Sequence, residues 1–338
     1  MKRKLSIYIL MFLFFGFGLY IFIPNIVSNI PLAFLPDLPG DLQPNIYFKY
    51  NINSFPSASA KKAYIYKDFF YQVNSLGFRG QEVNLKRELK KIILLGDGFA
   101  FGTGLNIGES ISEKLDTKLT NFYGKDKFVV LNAALPGSTI SDNLSYMYEK
   151  GYRLRPETII LFVSPGDVWE MLRPGLYRDR CREFARSKLL AIKWLLTSRD
   201  YVLNDQTVWD NYFVKKLALP KNELKKLALK LYWDSFLKLK QLAEKWEGSI
   251  VVVIVNSDSL EGELKILFDE EKIHILMVDS ILKPEFDWNA TVAGRGEINM
   301  LPWKLEDGHF GPKSADRISK ILFELIVNKK INTNLANK

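Results

Sequence analysis

Residues 96–104 read Gly-Asp-Gly-Phe-Ala-Phe-Gly-Thr-Gly and follow the short apolar run Lys-Ile-Ile-Leu-Leu. A glycine-rich turn from a strand into a helix exposes backbone amides that can cradle phosphate. That chemistry needs more than glycine. A P-loop ends in Gly-Lys-Ser/Thr, which is absent. The dinucleotide pattern is only approximated, and no acidic residue follows it in the expected strand context. The turn is therefore not read as a nucleotide site. Metal chemistry is also poorly supplied. The single cysteine, Cys181, excludes a cysteine-rich zinc site, and two histidines, His274 and His309, exclude most multi-histidine centres. Neither a metal nor a cofactor is expected.

Three further loops hold polar side chains beyond apolar runs. They are Asn132-Ala-Ala-Leu-Pro-Gly137, Ser164-Pro-Gly-Asp167 and Glu306-Asp-Gly-His309. The elements that position them can be read from the pattern. Residues 91–96, 128–133, 158–163, 250–255 and 273–278 are short, largely apolar segments, as expected of strands buried on both faces. Ser110 and Glu113 form a capping-box pair that opens a helix to about Thr120, and Ser138 or Thr139 caps the next one. Ile140, Leu144 and Met147 lie on one face of that helix, which stops at Gly151. Ala315, Ile318, Leu322 and Leu325 form the apolar face of a final helix. Strands alternating with helices predict an α/β, flavodoxin-like three-layer sandwich with a parallel sheet of about five strands. In such sheets the chemistry sits beyond the carboxyl ends of the strands, here from Gly96, Ala133, Ser164, Asn256 and Asp279.

In order and placement these four loops resemble the conserved blocks of the SGNH (GDSL) hydrolases. The resemblance spans about residues 91–328 and contains a large insertion. The lead-in Asn74-Ser-Leu-Gly-Phe-Arg79 is similar to that of membrane-anchored members. The resemblance implies a serine nucleophile at position 98, backbone amides of 98 and 137 plus an asparagine at 166 for the oxyanion, and an acid–histidine pair at the last block. This chain departs from it. Gly98 stands at the nucleophile position and Gly166 at that of the asparagine. His309 and Gly137 remain, with either Glu306 or Asp307 as the partner of the histidine. Asp97, Ser164 and Asp167 complete the implied cleft.

Glycine carries no atom that can form an acyl-enzyme. Loss of a serine nucleophile costs on the order of 10⁶ in kcat, and loss of one oxyanion donor roughly 10²–10³. Serine-type turnover is thus expected near background. The leading reading is a degenerate esterase that binds an envelope component such as an acylated polysaccharide, or supports envelope-assembly proteins. One alternative is an active acyl-ester hydrolase or O-acyl transferase using His309 with a different hydroxyl, Ser164 being the best placed, or with water. Another is a purely structural interaction protein. His274, within a strand, is expected as a hydrogen-bonded core residue.

The remaining sequence sets location. Residues 5–23 are 19 uncharged residues, enough for a helix of about 28 Å, close to the hydrocarbon thickness of a bilayer. Lys2, Arg3 and Lys4 precede this run, and the next basic residue is Lys49. This asymmetry predicts an uncleaved signal anchor over 1–34, with the N-terminus cytoplasmic and the main domain periplasmic or extracellular. Residues 35–90 read as a linker and approach segment, and 91–330 as the hydrolase-like domain, with 168–247 as a helical insertion. The chain has 338 residues and a net charge of +9. Three of those charges belong to the topology signal. No nucleic-acid motif accompanies the rest, so nucleic acid is not expected as a partner.

Overall fold

The computed structural model describes residues 39–42, 46–50, 69–86, 88–173, 176, 219–257, 259–283, 285, 303–305 and 308–328. The expected span over 5–23, residues 174–175 and 177–218 (Cys181 among them), and Glu306 and Asp307 lie outside them. Among the described residues no helix is long and apolar enough to cross a membrane.

Five parallel strands form the sheet: β3 (Lys90–Leu95), β4 (Phe128–Asn132), β5 (Thr158–Val163), β6 (Ser249–Ile254) and β7 (His274–Met277). β1 (Ile46–Tyr50) and β2 (Phe69–Val73) precede them as an antiparallel ribbon. The sheet order is β4-β3-β5-β6-β7, with β3 paired to β4 on one side and β5 on the other. The five segments coincide with the five apolar runs to within a residue or so. Chain direction across the sheet reverses at β3, the topological switch point where open α/β sheets place their ligands.

Alternation along the strands builds both cores. Ile92, Leu94, Val130, Ile160, Phe162, Val251 and Val253 face one helical layer. It contains α2 (Ile111–Tyr123), α7 (Val278–Leu282) and α8 (Pro312–Val327). Ile93, Leu95, Leu131, Leu161, Val163, Val252 and Ile254 face the other. That layer holds α3 (Ile140–Glu149), α5 (Lys221–Glu244) and α6 (Leu260–Glu270). The result is the expected three-layer sandwich. Two four-residue turns, α1 (Gly98–Phe101) and α4 (Asp167–Glu170), follow β3 and β5 directly.

Local chemistry fixes the helix starts. Ser110 accepts from the Glu113 amide and donates to its carboxylate. Thr139 and Asp142 form a reciprocal capping box on α3. The four residues expected on the face of α8 are all buried. α5 lies within the segment expected as an insertion, and it packs on the sheet beside α3 and β6 as the crossover between β5 and β6. Its buried stripe runs through Leu224, Ala228, Tyr232, Phe236 and Leu239, at i, i+4 spacing with a final step of i, i+3.

Two placements differ from expectation or add to it. His274 is half-buried on the edge strand β7 rather than in the core, because only one side of an edge strand is covered. Residues 39–42, within the segment expected as a linker, dock against the domain. Leu42 is buried in the core, Asp41 forms a buried ion pair with Lys150 at 2.8 Å, and the Tyr146 hydroxyl donates to the Pro39 carbonyl.

Candidate active site

The loops after β3, β4 and β5 lie side by side because their strands are neighbours. Asp97 links two of them. Its Oδ1 accepts from the Phe99 amide at 2.9 Å, capping α1, and its Oδ2 accepts from the Ser164 hydroxyl at 2.7 Å. Gly96 is pinned on both sides. Its amide donates to Asn143 Oδ1, and its carbonyl accepts from the Ser138 hydroxyl at 2.7 Å. Ser138 is thus a tie between loops, while Thr139 is the cap.

Ser164 is fully buried at the end of β5. Its hydroxyl lies against Asp97 and Asp167, and its amide donates to Asp167 Oδ2 at 2.8 Å. Burial pushes the Asp167 carboxyl well above the usual range, and the nearby charges of Asp97 and Glu170 push it further. A serine enclosed in this way is an internal strut. It is not presented to a substrate, which removes the best-placed substitute hydroxyl of the sequence reading.

Gly166 has φ of +97° and open space where a side chain would project. Its amide donates to Glu261 Oε1 at 2.8 Å, as does that of Val168 at 3.2 Å. Glu261 is buried at the start of α6, and burial raises its pKa. Tyr232 of α5 is buried beside this acidic group, and its hydroxyl is pushed well up, first by burial and then by Asp167, Glu261 and Asp97. Gly137 is exposed, with φ of +81°, and its carbonyl accepts from Arg173 at 3.2 Å.

His309 arrives on the loop before α8. The Lys304–Phe310 bridge, the Leu305 amide donating to the His309 carbonyl and the Gly308 amide donating to the Leu305 carbonyl shape that loop. The imidazole lies against the Phe99 ring, with centroids 4.7 Å apart. Its Nε2 lies 2.5 Å from the point where a Cβ on Gly98 would be. Thr103 Oγ1 lies 3.0 Å from the same point. The structure therefore brings Asp97, Gly98, Ser164, Asp167 and His309 together. Gly137 and Gly166 stand on the adjoining loops.

Sequence reasoning missed three supports. Arg79 is buried between the rings of Tyr71 and Phe101, 4.6 and 4.9 Å from their centroids. Its guanidinium donates to the carbonyls of Phe101, Gly102 and Leu105, clasping the far end of α1. Glu261 shares a helix face with Leu264 and Phe268, and a carboxylate in phase with an apolar stripe was the available signal. Thr103, set between two glycines, gave none. Among the described residues no group of three or more His, Cys, Asp or Glu is arranged to hold a metal ion.

No protein-family model matches the chain, and no protein of curated function matches it. Solved structures similar to it include Axe2, an acetylxylan esterase from Geobacillus stearothermophilus. That structure is 12% identical, with 70% of this chain and 94% of that one covered and a TM-score of 0.42. A second is the psychrotrophic esterase EstA from Pseudoalteromonas sp., 12% identical, with 72% and 100% covered and a TM-score of 0.39. A third, from Desulfitobacterium hafniense DCB-2, is described as a lipolytic protein of the G-D-S-L family. It is 12% identical, with 70% and 99% covered and a TM-score of 0.43.

Proposed function

We propose that this chain is a membrane-anchored, outward-facing domain of the SGNH hydrolase type, whose cleft takes acyl esters of an envelope carbohydrate without serine catalysis. The observation that carries this reading is the pairing of His309 with Gly98. The imidazole Nε2 is aimed at the nucleophile position, 2.5 Å from where a Cβ would start, and the residue there has no side chain. The base of an acyl-transfer site is thus in register with a vacant nucleophile position. The buried carboxylates that hold the flanking loops are intact. The charge asymmetry around residues 5–23 supports the anchor and the outward orientation.

The test uses the full chain in detergent. A fluorophosphonate probe, which labels activated serines, leaves the protein unlabelled. An O-acetylated oligosaccharide binds, and its fully deacetylated counterpart binds at least tenfold more weakly. Equal binding of both oligosaccharides, or labelling at any serine, overturns the reading. For the anchor, the chain fractionates with membranes and its N-terminal sequence starts before residue 5. Recovery of a chain that starts beyond Ile23 refutes the anchor.

A further inference from the structure

The Thr103 side chain is an unusual neighbour for a catalytic turn. The residue is only 8% exposed, and among the described residues its hydroxyl has no hydrogen-bond partner. Buried polar atoms without partners are rare in folded proteins, because water hydrogen bonds are given up with nothing in return. This one is not randomly placed. It lies 3.0 Å from the point where a Gly98 Cβ would lie, and His309 Nε2 is 2.5 Å from that point. These distances add to 5.5 Å, so Oγ1 and Nε2 are no further apart than that. Two hydrogen bonds of about 2.8 Å placed end to end span about 5.6 Å. The separation of the two groups thus does not exceed what a single oxygen atom bonded to both would bridge.

We infer that this oxygen is a water molecule that takes the place of the missing serine hydroxyl. We further infer that the cleft hydrolyses acyl esters slowly, by direct attack of that water. The inference rests on the acyl-ester reading above and deepens it. The water donates one hydrogen to His309 Nε2 and accepts the Thr103 O–H at one lone pair. Its other lone pair forms the new bond to the acyl carbon, and its donated proton passes to Nε2. The carbon–oxygen bond to the sugar then breaks. The leaving alkoxide takes the proton back from Nε2, giving a carboxylic acid and a free hydroxyl. No acyl-enzyme forms. Thr103 is a positioning residue in this scheme. Its own oxygen is too enclosed to reach a substrate, and its part is to fix the water within reach of the base.

The test measures hydrolysis of 4-nitrophenyl acetate by the full chain in detergent, alongside Thr103→Val, Thr103→Ser and His309→Ala. Valine keeps the shape of threonine and removes the hydroxyl. The parent turns over above the buffer rate. Thr103→Val lowers kcat at least tenfold with KM within twofold and the melting temperature unchanged or raised. Thr103→Ser recovers most of kcat, and His309→Ala falls to the buffer rate. Intact-protein mass after mixing with excess ester shows no acetyl adduct. An adduct mapped to Thr103 or to a serine overturns the water mechanism. So does parental kcat in Thr103→Val, or a kcat loss accompanied by a lowered melting temperature in both Thr103 variants. A parent at the buffer rate that still prefers the acetylated oligosaccharide sinks this inference and leaves the proposed function standing. No turnover together with no preference sinks both.

Discussion

The Ser164 hydroxyl lies 2.7 Å from Asp97 Oδ2 and 2.9 Å from Asp167 Oδ1. A hydroxyl has one proton to donate, so it cannot satisfy two carboxylates. The pattern closes when Asp167 carries a proton and donates to Ser164 Oγ, which donates to Asp97. Asp97 then accepts at both oxygens, from Ser164 and from the Phe99 amide. The raised pKa of Asp167 agrees with this direction.

Asparagine reproduces a protonated aspartate at position 167, with one oxygen for the Ser164 amide and an NH₂ for its hydroxyl. Asp167→Asn is therefore expected to fold and to gain on the parent as pH rises. The sign follows from linkage. In the parent the folded carboxyl keeps its proton above the usual range and the unfolded one releases it near pH 4. Stability from this group is present at low pH and declines above about pH 4 until the folded carboxyl titrates, by at most about 1.4 kcal/mol per pH unit. Urea unfolding at pH 5 and pH 8 reads the difference. A constant gap between the two proteins contradicts a proton on Asp167.

Asp97→Asn is expected to behave in the opposite way. An amide has one acceptor oxygen, and Asp97 accepts twice. The change leaves either α1 uncapped or Ser164 without its acceptor, costing about 1–3 kcal/mol. Equal stability of Asp97→Asn and Asp167→Asn in urea counts against the assigned direction of the chain.

Filling Gly98 is expected to be costly even with the smallest side chain. An alanine Cβ would sit 2.5 Å from His309 Nε2, so the imidazole and the Phe99 ring against it must move. Gly98→Ala should lose about 1–3 kcal/mol. The pair Gly98→Ala and His309→Ala should lose less than the sum of the single changes, because the clash is removed. Strict additivity in a double-mutant cycle rules out the contact.

Arg79 fastens the ribbon and approach segment to the far end of α1. Arg79→Ala leaves the carbonyls of Phe101, Gly102 and Leu105 without this donor, and a loss of about 3 kcal/mol or more is expected. Lysine should recover only part of it, since an ammonium lacks the planar fork that fans out to several carbonyls. Full recovery by Arg79→Lys refutes the clasp.

The buried pair of Lys150 and Asp41 makes a sharper distinction. Their side chains are 6% and 2% exposed. Removing either charge alone leaves the other group buried without this ion pair, although Lys150 keeps its bond to the Gly40 carbonyl, and about 3–5 kcal/mol is lost, whereas Asp41→Leu with Lys150→Met should cost far less. Chemical denaturation of the three variants checks this. A double variant as weak as the singles means that the docking of residues 39–42 depends on the charges themselves.

Much of this protein was legible in its sequence. Five short, largely apolar runs set the strands, because a strand covered on both faces is apolar at most of its positions. Ser110, Thr139 and the α8 stripe set helix ends and faces, because capping and periodicity act within a few residues. Motif order placed Asp97, Gly98, Ser164, Asp167 and His309 on neighbouring loops, since in a parallel sheet all strand ends of one kind lie on one side. Tertiary structure alone decided that Ser164 is a strut rather than a presented nucleophile, that Glu261 holds the amides after β5, that Arg79 clasps α1, and that Thr103 and His309 converge on the point where a side chain at Gly98 would begin. Each of these contacts depends on loops that only the assembled layers bring together, or on a side-chain direction that spacing along the chain does not encode.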